Sequence, residues 1–86
     1  MRTLFQKIAA TILGVALAFS AYSLDTFISE AQAQHHCPKD VVVWLNLPTM
    51  IWHTKGERWY GITKHGAYVC RDEAVAEGAR GSRNGQ

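Results

Sequence analysis

Residues 8–22 form a single apolar run in which almost every side chain is Ile, Leu, Val, Ala or Phe, preceded by a short stretch carrying Arg2 and Lys7. At about 15 residues the run falls short of the ~20 apolar residues needed to span a hydrocarbon core. It suits the h-region of a secretory signal peptide, whose basic end stays on the cytoplasmic side. The chain then turns polar, carries Asp25 and Glu30, and reaches Ala31-Gln32-Ala33, the small-x-small pattern that a signal peptidase accepts. The expected cut follows Ala33, so residues 1–33 read as a signal peptide. An uncleaved anchor would need the apolar stretch to continue through Asp25. On this reading the membrane is met only transiently, and the product is periplasmic or secreted.

What remains is residues 34–86, 53 of the 86, and so small a chain buries too little apolar surface to be stable without a further constraint. Cys37 and Cys70 offer one. In an oxidising compartment two cysteines read as a bridge, and with only two the pairing is unambiguous. Closing a loop of roughly 34 residues would stabilise the fold by roughly 3–4 kcal/mol. Free thiols binding metal and an intermolecular bridge are the competing readings. Lys39, Lys55, Arg58, Lys64, Arg71, Arg80 and Arg83 stand against Asp40, Glu57, Asp72, Glu73 and Glu77, with the signs interspersed. This pattern argues against a polybasic nucleic-acid or membrane surface.

Residues 40–46, DVVVWLN, are a β-branched run that predicts a strand, with Val41, Val43 and Leu45 on one face and Val42, Trp44 and Asn46 on the other. Pro48 interrupts the pattern, and a second strand over 50–54 follows at hairpin spacing. Lys55-Gly56-Glu57 makes a turn, Trp59, Tyr60 and Ile62 form a short apolar segment, Lys64-His65-Gly66 turns again, and 67–70 make a last strand. From Arg71 the composition becomes helical, with acids in the first turn and Gly78 placed to end the helix. Residues 79–86, ARGSRNGQ, read as a disordered tail. The expectation is an α+β domain over 34–78: a small three- to four-stranded antiparallel sheet with one short C-terminal helix, tied by the disulfide.

The order V-W-x-N, then W-H, then G-x-R-W-Y-G-x-T-K-x-G-x-Y, then E-A-x-x-x-G-x-R runs through Val43, Trp44, Asn46, Trp52, His53, Gly56, Arg58, Trp59, Tyr60, Gly61, Thr63, Lys64, Gly66, Tyr68, Glu73, Ala74, Gly78 and Arg80. This layout resembles a group of small exported bacterial proteins and the sunset domains appended to some bacterial nucleases. Such domains often carry an aromatic where this chain has Ala79. A more distant similarity is to the zinc domain of the Ada DNA-repair methyltransferase. That domain uses four cysteines, so neither its zinc site nor its methyl-accepting cysteine carries over to a chain with two. The resemblance implies a fold rather than an activity.

Several residues carry alternative readings. His53 reads as a ligand or proton carrier, or more simply as a half-buried histidine bonded to backbone. Trp44, Trp52, Trp59, Tyr60 and Tyr68 are many aromatics for so small a domain. Most must form the core, yet Trp52, His53, Trp59 and Tyr60, with Arg58 and Lys64 nearby, are candidates for a binding surface. Cleavage after Ala33 would expose Gln34-His35-His36, and a free amine with histidine third can wrap copper(II) or nickel(II) in a square plane. Catalysis has little to work with, because the only serine after residue 33 is Ser82 and the thiols are spent in the bridge. The expected function is that of an exported binding or structural module, not an enzyme and without a required cofactor, with a periplasmic or extracellular protein as its partner. A copper or nickel binder and a nuclease-associated nucleic-acid-binding module are the alternatives.

Overall fold

The computed structural model describes residues 24–85, so the apolar run over 8–22 lies outside the described residues. The described chain runs α1 (Glu30–His36), β1 (Val42–Asn46), β2 (Ile51–His53), β3 (Gly66–Cys70), α2 (Arg71–Ala76) and β4 (Arg80–Gly81). The four strands form one sheet in the order β3-β1-β2-β4.

β1 is the central strand because its β-branched run can be buried on both faces. Val42, Val43, Trp44 and Leu45 are all buried, rather than alternating between core and solvent. It pairs antiparallel with β2, placing Trp44 opposite His53, and antiparallel with β3, placing Trp44 opposite Tyr68. By that register Val43, Leu45, Val69 and Trp52 share one face with Ala74 and Ala79, and these make the core. Val42, Trp44, His53, Tyr68 and Cys70 point to the other face. There Trp44 Nε1 donates to Thr63 Oγ1 at 2.7 Å, and the Tyr60 and Tyr68 rings meet edge to face at 5.7 Å. The second face is covered by α1 and by the segment 54–65. The two are joined by an ion pair of 3.1 Å between Lys55 Nζ and Glu30.

The helices are placed by their ends. Ser29 caps α1, its hydroxyl accepting the Gln32 N–H at 3.1 Å. Cys70 precedes α2 without capping it, and Asp40 serves in its place: one carboxylate oxygen accepts the Asp72 N–H at 2.9 Å and the other the Val41 N–H at 2.6 Å. At the far end Gly78 has φ +98°, the Gly78 N–H donates to Val75 O and the Ala79 N–H to Ala74 O, each at 3.0 Å. This paired arrangement needs a residue without Cβ at Gly78 and delivers Ala79 into the core. Cys37 ends α1 and Cys70 begins α2, so their disulfide, with Cα atoms 6.3 Å apart, ties the two helices together.

Several expectations are corrected. The sheet is mixed rather than wholly antiparallel, because β4 runs parallel to β2 with Ile51 opposite Arg80 and Trp52 opposite Gly81. The chain leaves β3, crosses the sheet through α2 and must arrive at β2 in the same direction as β3. The segment 79–86 is not simply a loose tail: Ala79 is buried, Arg80–Gly81 are β4, and Gly81 lies so close to the Trp52 ring that a Cβ there would crowd it. The segment around Trp59, Tyr60 and Ile62 is a series of turns, closed by Glu57 N–H to Thr54 O, Tyr60 N–H to Glu57 O and Ile62 N–H to Trp59 O. Among the described residues there are two helices, not one. Structure also begins upstream of residue 34, since Phe27 exchanges backbone hydrogen bonds with Tyr68. The Ala33–Gln34 bond lies inside α1, with Ala33 fully buried, so cleavage there would have to precede folding. Residues 34–86 would still hold both cysteines, all four strands and α2.

Candidate functional site

The face of the sheet opposite α2 carries a groove of about 490 Å³, lined by Asn46, Thr49, Ile51, His53, Trp59, Ile62, Thr63, Lys64, Arg80, Ser82, Arg83 and Asn84. Three stretches distant in sequence meet here: the β1–β2 hairpin, the turns of 59–64 and the chain after α2.

His53 belongs to its floor. It ends β2 opposite Trp44, and the strand register turns it away from the core face. The residue is 6% exposed and its Nδ1 is buried without a hydrogen-bond partner. A backbone-bonded, half-buried histidine is therefore not what the fold holds. An unpartnered buried polar atom costs about 1–3 kcal/mol, and few are retained in a fold.

One wall is apolar. Trp59 is 36% exposed and Ile62 63% exposed, and the two lie together on this wall. The turns hold them outward. The Arg58 guanidinium stacks on the Trp59 ring, 4.8 Å from its centroid, which orients the indole. Thr63 anchors the end of the wall through its bond from Trp44.

The other wall is the chain after β4, and it is fastened by Glu57. The Glu57 carboxylate accepts the Thr54 N–H at 2.7 Å and the Ser82 hydroxyl at 3.0 Å, and the Ser82 N–H donates to Trp52 O at 2.9 Å. The Thr54 backbone bond holds the Glu57 carboxyl below its ordinary pKa, against a partial opposing effect of burial, with Ser82 and the His53 charge adding to the lowering.

The charge of the lining is one-sided. Lys64, Arg80 and Arg83 contribute cations, and no carboxylate lines the groove. None of the three forms an ion pair among the described residues, whereas Lys55 and Arg71 do. Arg80 makes a single 3.1 Å bond to Gly81 O.

Of the six residues singled out as a binding surface, the fold brings His53, Trp59 and Lys64 together in the groove, with Arg58 behind Trp59. Trp52 is turned to the opposite face, where it packs on the core and against Gly81. Tyr60 points inward. Burial, with Glu30 and Tyr68 nearby, pushes its phenol up to about 12, and its buried hydroxyl has no hydrogen-bond partner. Sequence reasoning missed Arg80, Ser82, Arg83 and Asn84 because they sit in a stretch of low apolar content. Their one signal was Arg80 in the final motif.

The residues Gln34, His35 and His36 lie in α1. Gln34 Nε2 donates to Cys37 O and Asp40 O, each at 3.0 Å, and His36 Nε2 sits 3.0 Å from Glu73 Oε2 and 3.5 Å from Asp25 Oδ2. The free amine that a copper or nickel wrap requires exists only in a chain cut after Ala33. His36, Cys70 and Glu73 place ligand atoms within 4.8 Å of one another, but the Cys70 sulfur is held in the disulfide and is no thiolate. A disulfide indicates a non-cytoplasmic fate, and among the described residues no helix is long and apolar enough to cross a membrane. Comparisons with protein-family models, with curated proteins and with solved structures return no match.

Proposed function

We propose that this protein is an exported binding module, periplasmic or secreted, that acts by holding a ligand in the groove beside Trp59 rather than by catalysis. The observation that carries the reading is the groove itself. Two exposed apolar side chains stand over a floor containing a buried, unpartnered histidine, in a space of about 490 Å³. Sites for small molecules commonly have this size and this mixture of apolar wall and few polar groups. Both thiols are tied in the bridge, which favours binding over nucleophilic chemistry. The exported setting rests on the apolar run of 8–22 together with the disulfide.

The test uses the neutral fluorophore N-phenyl-1-naphthylamine, titrated into the exported, disulfide-bonded chain. Saturable enhancement is expected, weakened about tenfold by Trp59→Ala or Ile62→Ser, as removal of an apolar wall implies. Val75, 51% exposed on α2, is the control: Val75→Ser leaves the titration unchanged. Absence of binding, or equal loss in the Val75 variant, would overturn the reading.

A further inference from the structure

The chemistry of the lining specifies more than a binding surface. Three cations reach the groove from two separate segments, Lys64 from the turns and Arg80 and Arg83 from the chain after α2. Each lacks a carboxylate partner among the described residues. The acids in ion pairs lie elsewhere: Glu30, Asp25 and Glu73 are engaged around α1, and Asp40 and Asp72 with Arg71 at the start of α2. Glu57, the acid nearest the groove, is turned to Thr54 and Ser82 and lies outside the lining. A neutral apolar ligand would gain nothing from three unpaired cations, and a cationic one would be repelled by them. An organic anion satisfies both walls at once, with its charge between Lys64, Arg80 and Arg83 and its apolar body against Trp59 and Ile62.

We propose that the groove takes a free, small amphiphilic organic anion, with a carboxylate, phosphate or sulfonate head and an aromatic or aliphatic body. The volume of about 490 Å³ is in the range of small-molecule sites. His53 contributes its imidazole to the floor of the groove. Arg groups can receive an oxyanion through two parallel N–H bonds, which gives the head group a defined orientation.

This inference rests on the groove being the ligand surface, and a matched pair of probes separates the two claims. The probes are 1-anilinonaphthalene-8-sulfonate and N-phenyl-1-naphthylamine, which share their aromatic body and differ by the sulfonate. The sulfonate is expected to bind at least about tenfold more tightly, as charge-assisted hydrogen bonding implies, and to weaken as salt is raised. Arg80→Gln and Arg83→Gln, both at exposed positions, should each remove most of that preference, read as the ratio of the two probes' affinities in the same variant so that a general loss of the groove does not count. Equal affinity for both probes, or a preference that survives the double variant, would overturn the anion assignment and leave the groove reading standing. Failure of both probes would remove the two together. Sedimentation with phosphatidylglycerol vesicles, abolished by the same variants, would place the anion on a membrane and overturn the free-ligand assignment.

Discussion

Tyr60 and Gly66 show how single positions are constrained by what packs on them. The Tyr60 phenol is raised from its ordinary value of 10.0 to about 12, first by burial and then by Glu30 and Tyr68. A raised folded pKa means the folded state favours the neutral phenol. The associated stability is fully present below the unfolded value near 10 and is lost as pH rises toward 12. Tyrosinate absorbance of the folded chain should show one such late titration, and Tyr60→Phe should abolish it. A phenol titrating with the solvent-exposed class would contradict this placement. Gly66 lies under the Trp44 indole so closely that a Cβ would overlap the ring. Gly66→Ala should therefore destabilise by about 1–3 kcal/mol in denaturant melts, whereas Gly56→Ala, where nothing stands within 4 Å, is limited to the cost of its φ of +100°.

At the scale of elements, the sequence was most legible where one segment carries its own signal. The β-branched run before Asn46, the acids at the start of α2 and the glycine at its end are local statements, and each element appears where those statements put it. The Trp59 segment is rich in aromatic residues, which favour strands, yet the turns anchored at Thr54, Glu57 and Trp59 hold it off any ladder. β4 carried no local strand signal, only Arg80 of the final motif. It is held by the backbone bonds Arg80 N–H to Met50 O and Ser82 N–H to Trp52 O, and by the Ser82 hydroxyl bond to Glu57. Because the Glu57 carboxyl is held below its ordinary value of 4.5, its contribution is present above that value and is lost as pH falls through the lowered one. The gap in melting temperature between wild type and Glu57→Gln should accordingly shrink as pH falls below 4.5. A gap that stays constant would show that the carboxylate charge does not secure this wall.

For the whole molecule the disulfide is the decisive constraint, since it joins the end of α1 to the start of α2 across the sheet. Reduction should lower the melting temperature by an amount corresponding to roughly 3–4 kcal/mol. An unchanged melt would show that packing alone sustains the fold. Intact mass of the exported chain will locate the cut relative to α1: the expected product begins at Gln34, and a product retaining Phe27 would keep the backbone pairing to Tyr68.

By itself, the sequence determined the apolar leader-like run, the pairing of the only two cysteines and the position of β1, because each depends on composition or neighbours within one short stretch. The parallel β4, the second covered face and the groove were decided by tertiary structure alone. Their residues come from 46–53, 59–64 and 80–84, and what joins them is the fit of Gly81 to Trp52 and of Ser82 to Glu57. Such contacts have no periodicity along the chain, so the site became visible only once the sheet had brought its edges together.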